Sequence, residues 1–254
     1  MDLHRWLDGL GVPGWVRNID SDLLLIGLGV VIWFLVRRLH PRATAGENGR
    51  TIILADFGLT ASGFARGLGL GVAFGLPMLV IGVAYAAITG NWPTATLSEL
   101  IPGLVIAPIN EEFFYRGVLV ITLWRCGLAR FWTLAIVGGL LFGSAHIDWT
   151  LDGLTSGWGT LLVTGAGGVW FAWLARQWGQ RLQGPWQANL WVPMTLHAMM
   201  NGAWLLFEGT DNAVGGLWPN VARGATIAIS AIVTIRLCRP ARPARRAGPP
   251  VDKP

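Results

Sequence analysis

Long apolar segments with almost no charge are the feature that most limits what this chain can fold into. Seven such segments follow one another, and most approach the roughly 20 residues that a membrane-spanning helix needs. Only 13% of the 254 residues are charged, whereas soluble domains carry about a quarter. The sequence therefore predicts an all-α, polytopic membrane helix bundle of about seven transmembrane helices, within a range of six to eight. The predicted spans are residues 23–36, 67–89, 100–124, 131–146, 157–175, 185–207 and 221–237.

The Lys and Arg residues alternate between the two ends of these spans. Fifteen of the 19 basic residues fall in residues 37–66, 125–130, 176–184 and 236–254. The three connections between spans on the other side carry none. Because short basic loops stay in the cytoplasm, we predict a multi-pass protein of the cell (inner) membrane with a cytoplasmic C-terminus. The net charge of +5 then follows from topology, and no nucleic-acid partner is expected.

The predicted organisation has three parts. Residues 1–22 mix aromatic and charged side chains, which is typical of a segment lying in the membrane interface. Residues 23–237 form the transmembrane bundle, with a core at about residues 100–207. Residues 238–254 form a basic, Pro-rich tail that we expect to be disordered. A second surface helix is predicted at residues 51–64.

The stretch "APINEEFFYRG" places three charges inside an otherwise uncharged span. Each charge at the centre of a span costs about 2.5–3.5 kcal/mol by insertion scales. Glu112 and Arg116 are four residues apart with the acid first, which favours an ion pair on one helix. Glu111 points about 100° away from Glu112 on an α-helix. It is left without a partner on that helix and is the candidate general base.

Polar residues interrupt two further spans. His146 ends the fourth span, while His197 and Asn201 lie four residues apart on one face of the sixth. Pro193 is expected to kink the sixth helix, and the motif-bearing helix is expected to restart at Asn110, a favoured N-cap residue. Each polar residue alone is commonly structural. Three helices that each contribute one, however, favour a shared interior site.

Three motifs in this order resemble the CPBP family of CAAX proteases and bacteriocin-processing enzymes. That family includes the Ras-converting CAAX endopeptidase and the bacterial Abi proteins. The resemblance covers about residues 107–202, and the "FFYRG" after the glutamates is similar to the family's aromatic-Arg-Gly continuation. The motifs are Glu111-Glu112-x-x-x-Arg116, Phe142-x-x-x-His146 and His197-x-x-x-Asn201.

The resemblance implies an intramembrane endopeptidase that cleaves a membrane-associated or lipidated protein or peptide with an activated water molecule. It assigns the general base to Glu111, water binding to His146, and stabilisation of the oxyanion to His197 and Asn201. It implies supporting roles, outside direct contact with substrate, for Glu112, Arg116 and Phe142.

Several alternatives stay open at this point. No cofactor is certain, but a zinc-dependent version of the site would use Glu111, His146 and His197 as ligands. A non-catalytic member of the same family, acting in bacteriocin self-immunity or as an adaptor for a partner protein, is the second hypothesis. A proton-coupled transporter is disfavoured because the sequence shows no internal repeat. The predicted topology also brings the charged cluster nearer the outer face, whereas CAAX processing acts on cytosolic proteins.

Overall fold

The structure is a computed structural model that describes residues 19–39, 53–207 and 214–238. The predicted interfacial segment at residues 1–22 and the tail at residues 238–254 lie almost entirely outside the described residues. Within these ranges the regular structure is helical, and no strand occurs. The α-helices are α1 (Ile19–Leu39), α2 (Ile53–Asp56), α3 (Ala61–Thr89), α4 (Leu97–Ile101), α5 (Ala107–Glu111), α6 (Leu123–Arg125), α7 (Phe131–Ser144), α8 (Leu151–Ser156), α9 (Trp158–Gln183), α10 (Trp191–Trp204) and α11 (Leu217–Leu237).

Each of the seven predicted spans contains helical structure, and the predicted helix-bundle class is confirmed. Among the described residues, α3, α9 and α11 are long and apolar enough to cross a membrane on their own. The apolar parts of α1 and α7 are shorter. The predicted first span of residues 23–36 is extended by its flanking residues, because α1 runs for 21 residues.

Residues 97–125 form one continuous helical rod, which we call the motif helix. Its α-helical parts are joined by two π-helical segments, Pro102–Ile106 and Glu112–Thr122. In a π-helix the hydrogen bonds run between residues five apart, so each turn is wider than in an α-helix. Such segments are rare and frequently occur at functional sites. The two glutamates of the motif sit where α5 meets the second π segment.

The prediction that the motif helix restarts at Asn110 is wrong. Glu111 and Glu112 have right-handed helical backbone angles, and Asn110 is buried inside the rod rather than capping its start. Pro108 lacks a backbone donor, but the helix does not break there. The turn before it is π-helical instead, and this wider turn accommodates the proline. The glutamates therefore do not occupy the first turn of a new helix.

The prediction that Pro193 kinks the sixth helix is also wrong, because Pro193 lies in the first turn of a helix. The sixth span becomes helical only at Trp191, which places Pro193 in the first turn of α10. Backbone N–H groups of a first turn have no acceptor within the helix, so the missing donor of proline costs nothing there. Asn189 instead fixes this junction, accepting from the backbone N–H of Trp191 and donating to the carbonyl of Gly63.

The predicted surface helix at residues 51–64 is not one helix, and the middle of the segment is buried where the structure describes it. Asp56 and Phe57 are buried, and α2 is only four residues long. The backbone carbonyl of Asp56 accepts a hydrogen bond from Thr122, and the carbonyl of Gly58 accepts one from the backbone N–H of Leu190. This segment therefore packs into one end of the bundle and holds the motif helix against the start of α10.

Glycines set the two closest helix contacts of the bundle. A Cβ atom on Gly67, Gly71 or Gly75 of α3 would lie within 3 Å of α10 or the residues just before it. A Cβ atom on Gly139 or Gly143 of α7 would lie equally close to the backbone of α9. These two sets of glycines, which we call the glycine ladders, are therefore packing faces. The ladders fix the positions of α10 and α7, which carry the candidate histidines.

Candidate active site

Glu112 and Arg116 form the buried ion pair that their spacing predicts. Nη1 of Arg116 lies 3.1 Å from Oε1 of Glu112, and the two side chains are 1% and 0% exposed. Removing one partner of a pair this deeply buried is costly, because the other charge would then be buried with neither a counter-charge nor water. The pair therefore anchors the centre of the motif helix.

Arg116 is enclosed by aromatic rings rather than by further acids. Its Cζ lies 4.0 Å from the centre of the Phe142 ring on α7 and 5.4 Å from that of Phe171 on α9. These are distances at which a guanidinium interacts favourably with a ring face. Gly168, one turn before Phe171, leaves room for the guanidinium, since a Cβ there would lie 3.2 Å from Nη2 of Arg116. Three elements thus meet around one cation.

His197 lies between the two glutamates of the motif. Its Nδ1 is 2.9 Å from Oε1 of Glu112, and its Nε2 is 3.7 Å from Oε2 of Glu111. Because an ionised carboxylate only accepts, the Nδ1–H of His197 donates to Glu112. In the neutral ring the lone pair is then on Nε2, which faces Glu111. Because the two glutamates point in different directions from the helix, as expected, they face different nitrogens of the same imidazole.

The exposure of these side chains falls in a gradient. Glu112 is fully buried, whereas the side chain of His197 is 12% exposed and that of Glu111 is 24% exposed. With a neutral imidazole the four groups Glu111, Glu112, Arg116 and His197 carry a net charge of −1. Because Glu112 is paired with Arg116, the unbalanced negative charge lies on Glu111, at the more exposed edge of the cluster where a substrate could approach.

His146 lies one ring away from this cluster. It follows the C-terminal end of α7, and its ring centroid is 4.5 Å from that of Phe142, the ring that also covers Arg116. Its Nδ1 is 2.8 Å from the carbonyl oxygen of Phe142. Because a carbonyl only accepts, Nδ1 carries the proton and Nε2 is left with a lone pair in the neutral ring. Among the described contacts, none joins His146 directly to Glu111 or His197.

Asn201 lies one turn after His197 on α10 and contacts a different part of the motif helix. Its amide Nδ2 donates to the carbonyl oxygen of Gly103, in the first π segment, at 2.8 Å. One amide hydrogen is therefore used to join α10 to the motif helix, and the other is left for a second acceptor. Asn201 thus has both a structural contact and spare donor capacity.

The residues expected to hold zinc are not assembled as a ligand set. In the part of the chain that the structure describes, no group of three His, Cys, Asp or Glu side chains is arranged to hold a metal ion. The tautomers of His146 and His197 leave Nε2 lone pairs, as zinc ligands require, but no described contact joins His146 to Glu111 or His197. The geometry therefore does not fit a three-ligand centre, and we derive no step through a metal.

Three contributors to this site have no marker in the sequence. Phe171 packs against both Arg116 and His197, with a ring-centroid distance of 5.5 Å to the latter. Gly168 provides space for the guanidinium, and Gly103 provides the carbonyl that Asn201 contacts. Aromatic and glycine residues are abundant throughout this chain, with 27 aromatics and 35 glycines, so neither type distinguishes a site here.

A comparison with protein families bears on this arrangement. The family described as "Type II CAAX prenyl endopeptidase Rce1-like" matches residues 91–203. The match begins just before the motif helix and ends near the C-terminal end of α10, so it contains every candidate site residue named above. Residues 91–203 form a Rce1-like domain. No curated protein and no solved structure matches the chain.

The predicted resemblance to the CAAX protease family is thereby confirmed. The apolar helices and the Rce1-like domain together show an integral membrane protein. The domain includes the motif helix, α7, α8, α9 and nearly all of α10, whereas α1, α3 and α11 pack around it from outside the matched residues. The candidate site lies entirely inside the domain.

Proposed function

We propose that this protein is an intramembrane endopeptidase that hydrolyses a peptide bond of a membrane-associated or lipidated protein or peptide. The family of its central domain is a family of such proteases. The observation that carries the proposal is His197 held between Glu112 and Glu111 in a largely buried cluster. Intramembrane ionisable groups of this kind are costly, and their concentration at one point of the bundle favours catalysis over structure.

In the proposed reaction, Glu111 is the general base. A water molecule beside Oε2 of Glu111 and Nε2 of His197, which are 3.7 Å apart, would lie within hydrogen-bond distance of both. Glu111 takes a proton from this water while the water oxygen attacks the carbonyl carbon of the scissile peptide. The C–N bond of the tetrahedral intermediate then breaks, and the proton passes from Glu111 to the departing amine. Proton uptake by Glu111 brings the net charge of the cluster from −1 to zero.

Glu112 and Arg116 position His197 rather than touch the substrate. The hydrogen bond from Nδ1–H of His197 to Glu112 fixes the tautomer and orientation of the ring, as a carboxylate does for histidine in other hydrolases. Arg116 in turn compensates the charge of Glu112. In the neutral ring Nε2 carries no proton and cannot donate a hydrogen bond. His197 would therefore need a second proton, on Nε2, to take the predicted oxyanion role.

Asn201 is the better donor for the oxyanion, since one of its amide hydrogens is free while the other contacts Gly103. His146 has its Nε2 lone pair free and is proposed to bind water or the substrate near the mouth of the site.

The orientation of the bundle is part of the proposal. The distribution of basic residues supports a cytoplasmic C-terminus in the cell (inner) membrane. A C-terminal fusion to green fluorescent protein should then fluoresce, and a fusion to alkaline phosphatase should be inactive. The reverse pattern would contradict the proposed orientation.

The activity is tested with purified protein in proteoliposomes and two versions of one peptide with a CAAX-type C-terminus, prenylated and unprenylated. We expect the natural protein to release the C-terminal fragment. The rate of release should be lower by a factor of at least about 10² in Glu111→Gln. Asp152→Asn is the matched control, because it also removes one carboxylate but at an exposed position of α8. Equal activity of Glu111→Gln and the natural protein would favour the non-catalytic alternative.

A further inference from the structure

An open cavity of about 570 Å³ lies at the end of the bundle where the motif helix ends and α7 begins. Phe131, at the start of α7, lines this cavity, whereas His146 follows the opposite end of the same helix. A helix of 14 residues spans roughly 20 Å. The cavity is therefore separate from the candidate active site. Its main walls are Trp124, Arg130, Phe131, Trp132, Arg176 and Trp186.

Two arginines, Arg130 and Arg176, line this cavity, and no acidic residue lines it. Arg176 lies over the rings of Trp124 and Phe131, with its Cζ 5.0 and 4.6 Å from their centres. Its Nε is buried and has no hydrogen-bond partner among the described residues. Those residues also provide no carboxylate partner for Arg176. A buried donor without a protein acceptor calls for a further partner, such as an ordered water, an ion or a ligand.

The backbone at Trp186 is strained in a way that shapes this cavity. Its φ of 67° lies in the left-handed region, and it is the only non-glycine residue there in the described chain. That conformation costs roughly 1–2 kcal/mol for a residue with a Cβ. The strained turn places the indole 5.5 Å from that of Trp124, at the rim of the cavity, although Trp186 is largely exposed. Strain of this kind persists only where the surrounding structure enforces it, and it clusters at binding and active sites.

The chemistry of the walls identifies the class of ligand. Guanidinium groups bind phosphate through paired N–H donors, and tryptophans at the ends of membrane spans lie at the level of lipid headgroups. The loop at residues 125–130 and residues 176–184 both carry the basic residues expected on the cytoplasmic side, where anionic lipids concentrate. We propose that this cavity binds the phosphate-bearing headgroup of an anionic phospholipid.

The aromatic walls favour a lipid over a free phosphate ion. Four of the six main lining residues are Trp or Phe, and they provide apolar surface that inorganic phosphate would leave uncovered. A glycerol backbone and the first methylenes of two acyl chains would cover it. The volume also lies within the range of about 300–1,000 Å³ typical of small-molecule sites. Two arginines and aromatic walls together thus match a headgroup and its acyl linkage.

The test uses the full chain in dodecyl maltoside, with thermal unfolding measured against three probes. These are dihexanoyl phosphatidylglycerol, dihexanoyl phosphatidylcholine and inorganic phosphate. We expect a saturable rise in Tm with phosphatidylglycerol, an apparent affinity at least about tenfold weaker for phosphatidylcholine, and no shift with phosphate. Arg176→Gln should weaken the affinity for phosphatidylglycerol about tenfold, because it removes a charged donor.

Arg181→Gln is the matched control, because it removes the same charge from an exposed position of α9 that does not line the cavity. It should leave the affinity for phosphatidylglycerol unchanged. Trp186→Gly is a second variant, which relieves the backbone strain and removes one wall, so it should fold well yet bind more weakly. Equal shifts with both lipids, equal effects of Arg176→Gln and Arg181→Gln, or the same shift with inorganic phosphate would each overturn the proposal.

Discussion

Nδ1 of His197 lies 2.9 Å from Oε1 of Glu112, and the same oxygen lies 3.1 Å from Nη1 of Arg116. One carboxylate oxygen therefore joins α10 to the motif helix while balancing a buried cation. Its neighbour Glu111 is the more exposed acid and faces the other nitrogen of the same imidazole. Two adjacent glutamates thus have different surroundings, and different surroundings are what allow two acids to take different roles.

Glu112→Gln should destabilise the protein much more than Glu111→Gln does. It leaves the buried guanidinium of Arg116 without a counter-charge, and breaking a buried pair costs about 3–5 kcal/mol. Glu111→Gln keeps its shape at a more exposed position and should change stability by less than about 1 kcal/mol. Unfolding of both variants in the same detergent provides the comparison. Equal destabilisation would mean that the two acids are not divided into a supporting and a reacting group.

Phe142→Leu should lower both stability and activity, because Phe142 supports Arg116 on one side and His146 on the other. The lost contact between ring and cation is expected to cost about 0.5–2 kcal/mol beyond the change in packing. Phe114→Leu is the matched control, since Phe114 is equally buried and contacts Tyr115, but no described cation lies over its ring. The difference in unfolding free energy between the two variants measures the ring–cation term. A difference of zero would contradict this role of Phe142.

Much of this site could be predicted from sequence because its charges stand in apolar surroundings. The Glu112–Arg116 pair follows from a spacing of four residues, and its cost in a membrane makes it conspicuous. The position of His197 opposite both acids depends on how α10 packs, which glycines on α3 determine through contacts that no local pattern encodes. Phe171 stayed hidden because an aromatic residue in a tryptophan-rich membrane protein carries no signal.

The incorrect predictions at Asn110 and Pro193 share one cause: each inferred the course of the helix from a single proline or cap residue without the tertiary contacts around it. Asn110 lies inside a continuous helix because the chain absorbs Pro108 by forming a π segment. Pro193 lies in a first turn because residues 185–190 bind other parts of the bundle instead of continuing a helix. In both cases tertiary contacts decided which of several locally acceptable conformations is adopted.

Asn201→Ala should lower kcat about 10²–10³-fold with a smaller change in KM, as expected for the loss of one oxyanion donor. A purely structural role in the contact with Gly103 would instead lower stability and leave kcat largely intact. Asn220→Ala is the matched control, because the Asn220 amide also donates to backbone carbonyls, but at an exposed site in α11. Unchanged kcat in Asn201→Ala would contradict the proposed donor role.

Chelators should leave the activity of the purified protein unchanged. The proposed water activation uses Glu111 and His197, and the described residues provide no assembled set of three metal ligands. The measurement is peptide cleavage after incubation with 1,10-phenanthroline and, separately, with EDTA, followed by removal of the chelator. Activity that is lost on chelation and restored by added zinc would contradict a metal-free mechanism.

The most direct test of the central claim is a double-mutant cycle between Glu111 and His197, measured as single-turnover peptide cleavage in proteoliposomes. If the two side chains act on one water molecule, Glu111→Gln and His197→Gln should each lower the rate by at least about 10², and the double variant should be no slower than the slower single one. Asp152→Asn should cleave at the natural rate. Losses that simply multiply in the double variant, or a single variant that retains the natural rate, would contradict the account.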